Sequence, residues 1–545
     1  MTLQCLPRML ASGTFALVAV VGVTGCSADW PSFRHNALRT AAQLNHGPLT
    51  DPQKVQSLAP QWKFPDSAGV ALNPPPGPFR ASPVVYNKVV YIGNSNGYLY
   101  AINAGDGTLK WQYPANGATA LTSNFTCNPS SEGIASSATI ANINGTDAVI
   151  FGAPDRSIGA GLGSGRLFAI NAQTGLEIWK SPEVAVLLNV GSTHEQIGYS
   201  SPLVFNDHVY IGVADHCDDP IQRGKVVAVR LGDGTIDGAF SFFSTGPPRG
   251  GGIWGSVAAW PNGLYVTTGN VNIGGQEPSP NNGLSLLRLD PNSGSVVWKW
   301  QPVPYNLDVD PDWTSTPTVM LASVGILAVS TQKDGWTWAV NAGDGTPGPA
   351  SVRWCFPPGP WCTSGFNPND GTSHNDTRYL RPGAGWDDVY IVQTGGLNVT
   401  TDVYDGFKHL YALNASASDA DRVRWIKDVP NSSIDCPNWN PACNEYSLGP
   451  PTVTHGIVFV GTKFGHLVVI GDPSITPADG WRCTNPDFAS ANCVANGFTL
   501  VPDPHVLKDI DLGAGAINTE PAIVGDPVYV STEGGKVFML KPTDP

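Results

Sequence analysis

The stretch GYLYAINAGDGTLKWQY, residues 97–113, has an alternating apolar start, breaks at a Gly/Asp turn, and runs on to a tryptophan. Alternation of this kind marks a half-buried strand, and the Gly/Asp turn joins it to a second one. GRLFAINAQTGLEIWK (165–180) repeats it position for position, and NGLSLLRLDPNSGSVVWKW (282–300) repeats the order of strand, turn, strand and tryptophan. Weaker copies are GKVVAVRLGDGT (from residue 224), GWTWAVNAGDGT (from 335), GFKHLYALNASASDADRVRW (from 406), GHLVVIGDPS (from 465) and GKVFMLKP (from 535). The copies number eight.

Each copy follows another strand pair of the type SPVVYNKVVYIGNSNG (82–97), so one unit holds four short strands. Units of this size bury their faces only by stacking on neighbours, which predicts an all-β, eight-bladed β-propeller. Trp111, Trp179, Trp298, Trp354 and Trp425 close several units and are expected to wedge between blades. Composition agrees: Gly 62 and Pro 48 punctuate many turns, and 14% of residues are charged. With no linker or charge run to divide the chain, residues 26–545 are expected to form one propeller domain.

Residues 1–25 have the pattern of an export signal, with Arg8 as the one charge and TFALVAVVGV (14–23) as a short apolar core. VTGC (23–26) resembles a bacterial lipobox, which implies lipid attachment at Cys26 and a periplasmic or outer-membrane location; ordinary secretion after signal cleavage is the other outcome. Setting aside Cys5 and Cys26, eight cysteines remain, an even number that suits disulfides in an exported protein. Cys355 with Cys362, Cys436 with Cys443, and Cys483 with Cys493 are local pairs, which leaves Cys127 and Cys217 by elimination. No CxxCH is present for a covalent haem. The formal charge of −14 becomes −15 without Arg8, which disfavours nucleic acid and suits a basic protein partner.

Four irregular segments carry polar residues that no strand needs. GGGIWGSVAAWPNGLYVTTGN (250–270) offers Trp254 a glycine-lined space and ends at Asn270, whose side-chain carbonyl suits a metal. DVDPDWTSTP (308–317) sets Asp308, Asp310 and Asp312 at alternate positions, a repulsion that a cation or a proton would relieve. Lys333 in STQKDGW follows the next strand. GVADHCDDPIQRG (212–224) offers Asp218, Asp219 and Arg223. Each also has a structural use: Trp254 as one more wedge, Asn270 as a turn residue, the Asp run as a solvated loop, Asp219 as a surface turn paired with an arginine.

The order of these segments on successive blades resembles the quinoprotein alcohol dehydrogenases, and most closely their polyvinyl-alcohol dehydrogenase-like branch. The resemblance begins at DWPSFRHNALRTAAQ (29–43) and covers nearly all of the mature chain. It implies pyrroloquinoline quinone (PQQ) and calcium on the propeller axis. Trp254 would stack under the quinone, Lys333 would hydrogen-bond its reactive carbonyl, and Asp312 would be the catalytic base and a metal ligand beside Asn270. Asp219, four residues before the Arg223-Gly224 pair, takes the place of a metal-binding glutamate, and Arg223 would help hold the anionic cofactor. This chain lacks the family's adjacent cysteine pair over the quinone, and a Cys127–Cys217 bridge is the substitute. Ala135, in EGIASSATI (132–140), stands where many relatives carry an arginine. The implied function is oxidation of a small or polymeric alcohol, with electrons passed to an external acceptor such as a periplasmic cytochrome. The alternatives are a cofactor-free propeller scaffold lipoprotein of the outer-membrane assembly type, and a degenerate family member that binds sugar or polymer without turning it over.

Overall fold

The computed structural model describes residues 29–43, 49, 51–124, 131–158, 162–187, 195–215, 222–246, 250–271, 281–302, 312–313, 315–333, 335–343, 351–356, 382–386, 388–393, 409–418, 422–430, 448–454, 456–471 and 504–543. The signal segment and Cys26 lie outside them, as do Cys127, Cys217 and Asp219. Cys355, the one cysteine among the described residues, is fully buried and disulfide-bonded, its partner lying outside them.

Eight antiparallel sheets form the eight blades. Blade 1 runs outward from the axis through Val84–Tyr86, Val89–Gly93, Leu99–Asn103 and Leu109–Tyr113. The innermost strands of blades 2 to 8 are Thr139–Ile143, Leu203–Phe205, Ala258–Trp260, Thr318–Ala322, Ala384–Trp386, Thr452–Thr454 and Ala522–Ile523. All eight motifs read from the sequence fall at the third strand of a blade. The eighth copy lacks a fourth strand of its own, which is supplied by Leu58–Phe64 pairing antiparallel with Val537–Pro542. The N-terminal part of the chain thus closes the ring.

The docking tryptophans sit in outermost strands, each at a β-bulge: the register shifts beside Ala101↔Trp111, Ala169↔Trp179, Arg288↔Trp298, Ala339↔Trp354 and Ala412↔Trp425. A bulge re-aims a side chain off the regular pleat. Trp111 then donates its indole N–H to the Ala172 carbonyl of the next blade (3.1 Å) and Trp179 to Leu231 (3.0 Å). Each ring covers a glycine turn, Gly175 and Gly234, both at φ +75°, where an added Cβ would lie 2.9 and 2.7 Å from the indole. Such a buried indole contributes about 4–6 kcal/mol of transfer free energy before entropy is charged against it. A tyrosine in the second strand reinforces several joints. Tyr91 also donates to Ala172 (3.0 Å), Tyr265 to Ala342 (2.9 Å) and Tyr210 to Pro291 (2.7 Å).

Two further systems hold the blades around the axis. Two residues before the innermost strand, the backbone N–H of one blade donates to a hydroxyl of the next. The pairs are Ser82 to Ser137 (2.8 Å), Ser137 to Ser201 (3.0 Å), Ser201 to Ser256 (2.8 Å) and Ser256 to Thr316 (2.9 Å), and the Glu520 N–H donates to Ser82 (3.2 Å). The second system is residues 30–43, a strap that touches every blade. Its backbone bonds reach Val85, Ile140, Ala259, Val319, Gly385 and Val453, while Arg39 donates to Pro202 (3.1 Å) and Gln43 to Ile523 (3.0 Å). Arg34 pairs with Glu520 (3.2 Å), both fully buried, and also donates to the Gly383 carbonyl. Burial lowers the Arg34 pKa and raises that of Glu520, each opposed by the other's charge.

Candidate active site

Asp312 starts the segment leading into blade 5, and Lys333 follows that blade's second strand, Gly325–Thr331. The Lys333 backbone N–H closes on the Asp312 carbonyl (2.9 Å), which brings the two side chains together. Lys333 Nζ lies 2.7 Å from Asp312 Oδ2, with side chains 6% and 4% exposed. Trp313, next to Asp312 in the chain, is buried in one apolar cluster with Trp300, Trp336 and Trp338. Charges paired in such a place attract far more strongly than in water, and removing one partner costs about 3–5 kcal/mol.

Blade 4 supplies the other side of the site. The backbone N–H of Asn270 donates to Asp312 Oδ1. Residues 250–252 and 269–271 pair with each other: Gly251 N donates to Asn270 O (2.6 Å) and Gly269 N to Gly252 O (2.8 Å). Glycine is needed at 269, because a Cβ there would sit 2.8 Å from Asp312 Oδ1. Trp254 follows two residues after Gly252; a Cβ on Gly252 would lie 3.1 Å from its Nε1 and 3.4 Å from Asp215 Oδ1, and one on Gly198 would lie 3.5 Å from its ring. The structure therefore gathers Trp254, Asn270, Asp312 and Lys333 into one group on neighbouring blades 4 and 5.

Arg223 precedes Gly224, whose N–H donates to the Gly250 carbonyl (3.1 Å). The Arg223 guanidinium lies 4.4 Å from the ring centroid of Phe243, in the outermost strand of blade 3, where cation–π attraction holds it. Asp219, Cys127 and Cys217 lie outside the described residues. Among the described residues no cluster of three or more His, Cys, Asp or Glu side chains has metal-binding geometry.

Sequence reasoning missed three residues here. Asp215 is buried and accepts the Gln222 N–H (2.9 Å). Gln196 brings its side-chain amide beside Gly198 and Trp254, with its buried Nε2 lacking a hydrogen-bond partner. Arg80 is found by register alone: Arg80, Ala135, Tyr199 and Trp254 each stand four positions before the innermost strand of blades 1 to 4. The hydroxyl bonds two residues further on lock these blades in step, so the four form one arc at the same end of the axis. The signal was present as a Ser or Thr recurring before the inner strands, in RASPVV, SSATI, SSPLV, GSVAA and STPTV.

The fold and site define a tryptophan-docked eight-bladed propeller with a buried carboxylate–lysine pair at the axial end of its blades. The family model described as glucose/ethanol/alcohol dehydrogenase, β-propeller domain, a PQQ family, matches residues 30–348, more than half of the chain, and the protein belongs to that family. It is 24% identical over 521 residues to a quinohemoprotein alcohol dehydrogenase, ADH IIB, of Pseudomonas putida, covering 79% of this chain and 66% of that relative's length. Among solved structures, a europium-containing methanol dehydrogenase superposes with a TM-score of 0.60 at 15% identity, over 95% of this chain and 98% of that one. The quinohemoprotein alcohol dehydrogenase ADHIIG of Pseudomonas putida gives 0.61 at 15% identity, over 95% and 81%. At those identities the likeness is one of fold.

Proposed function

We propose that this protein is a PQQ- and metal-dependent alcohol dehydrogenase, with calcium as the metal. The observation that carries the reading is the buried Asp312–Lys333 pair, joined through the Asn270 N–H to the glycine-lined Trp254 segment. The residues present suit the cofactor. Gly198 and Gly252 leave space against the indole that side chains would fill, and the orphaned Gln196 Nε2 offers a donor beside it. Asp312 and Asn270 present oxygen donors, the kind a hard cation prefers. When bound, PQQ would supply the two-electron acceptor and the metal its Lewis acidity.

The chain's own residues would do the rest. Trp254 is the platform for a planar ring. Lys333 Nζ fixes Asp312 Oδ2 and the Asn270 N–H fixes Oδ1, so the carboxylate cannot rotate away from a substrate. Asp312 takes the substrate hydroxyl proton at the lone-pair site left on Oδ1. Asp219 as a further metal ligand, a Cys127–Cys217 bridge at the mouth, membership of the polyvinyl-alcohol dehydrogenase-like branch, export with lipid attachment at Cys26, and transfer of electrons to a periplasmic cytochrome complete the proposal.

Substitution separates the roles. Asp312→Asn keeps the shape but cannot accept a proton, so dye-linked turnover falls by about 10² to 10⁴ while PQQ stays bound. Lys333→Ala weakens both quinone uptake and rate. Quinone stoichiometry by absorbance, measured beside kcat, decides: wild-type kcat in Asp312→Asn removes Asp312 as the base.

A further inference from the structure

The strap of residues 30–43 brings two guanidiniums and meets one carboxylate at the entries of the innermost strands, and Arg34, Arg39 and Glu520 are all fully buried. Arg39 Nε donates to the Val257 carbonyl (2.9 Å), Nη2 to that of Pro202 (3.1 Å) and Nη1 to that of Phe33 (2.8 Å). Val257 and Pro202 lead straight into the innermost strands of blades 4 and 3, and all three partners are neutral carbonyls. Arg34 pairs with Glu520, so among these described residues one positive charge is left over, and it belongs to Arg39. Burial lowers the Arg39 pKa to about 9, with Glu520 raising it and Arg34 lowering it, so the guanidinium keeps its proton at neutral pH. His35 on the same strap is lowered by burial to about 4 and is neutral there. Trp254 stands three residues before Val257, and a chain of three residues spans at most about 11 Å. The site therefore lies close above a fixed charge, while its own Asp312–Lys333 pair sums to zero.

We propose that Arg39 tunes the redox equilibrium of the axial site: its buried charge acts through its field, without touching the ligand, and favours the reduced form of the bound quinone. This rests on the quinoprotein reading above. When an alcohol is oxidised, an electron pair and one hydrogen nucleus leave its carbon for the quinone as hydride, and the hydroxyl proton goes to Asp312. The quinone side thus gains one negative charge. At about 10 Å and an effective dielectric constant of about 20, a unit charge shifts such an equilibrium on the order of tenfold. Bracing blades 3 and 4 needs only hydrogen-bond donors, whereas burying a charge with no opposite partner is costly, and the field is what that charge adds.

The test is the midpoint potential of PQQ bound to the full-length protein with calcium, read by absorbance against redox dyes at neutral pH. Arg39→Gln keeps hydrogen-bond donors and removes the charge; the ratio of affinities for reduced and oxidised PQQ is expected to fall on the order of tenfold, which lowers the two-electron potential by about 30 mV. Glu520→Gln removes the offsetting charge and is expected to move the potential upward by a similar amount. Arg39→Lys keeps the charge and stays within about twofold of the wild-type ratio. A role confined to bracing the blades lowers thermal midpoints and gives the two glutamine variants no opposed shifts in potential. Thermal midpoints identify an Arg39→Gln protein that misfolds, in which case the sign of the Glu520→Gln shift decides. Equal potentials in wild type and folded Arg39→Gln, or no upward shift in Glu520→Gln, overturn the proposal and leave the quinoprotein reading standing. No PQQ binding by wild type overturns both.

Discussion

Gly269 shows how little room the Asp312 carboxylate has. A methyl at residue 269 would sit 2.8 Å from Oδ1 and 3.4 Å from the Gly252 carbonyl, so Gly269→Ala must push the carboxylate aside or open the contact between residues 250–252 and 269–271. The expected outcome is a loss of about 1–3 kcal/mol in stability with kcat reduced about a hundredfold, since a displacement near 1 Å in a reacting group has that effect. Thermal midpoints and dye-linked kcat check it; unchanged kcat would show that Asp312 does not need its present position. Trp254, Asn270, Asp312 and Lys333 were legible in the sequence because each lies in a polar or glycine-rich stretch outside the strand pattern. Arg80, Gln196 and Asp215 were not, because an isolated polar residue at the start or end of a strand has no significance until neighbouring blades are set in register.

Among the elements, the strap of residues 30–43 has the least ordinary backbone. Arg34, His35, Arg39 and Ala41 all have positive φ, between 50° and 73°, which bulky residues adopt only where surrounding contacts over-determine them. Contacts with all eight blades provide that constraint. His35, 4.7 Å from the Trp30 ring, is lowered by burial from 6.5 to about 4. Because the folded-state pKa is the lower one, the unfolded chain takes up the proton first. Stability is therefore fully present above about pH 6.5 and lost as pH falls toward about 4. His35→Asn, which tolerates the same φ, is expected to flatten that part of the curve of urea midpoint against pH; identical slopes would show that His35 does not titrate in unfolding. The strap was visible in the sequence as a family resemblance only, since irregular chain has no period to read and its two buried arginines look like surface charges.

The eight blades of the whole molecule were legible because one pattern recurs at the third strand of each, and the tryptophan that follows in five of them announced how blades join. The ring closure by Leu58–Phe64 was not, since that strand is separated from its partner by nearly the whole chain and carries no repeat signature. Closure matters for function because it holds blade 8 against blade 1, and through the hydroxyl bonds it fixes the axial end where the proposed cofactor would rest. The central claim is that this end holds a redox quinone with a metal. Its most direct measurement is the absorbance spectrum and dye-linked alcohol oxidation of the purified protein after addition of PQQ with calcium. The account predicts one quinone retained per chain after gel filtration, together with alcohol-dependent dye reduction that disappears when calcium is chelated. A protein that emerges without quinone and reduces no dye would contradict it, and the propeller would then be a scaffold.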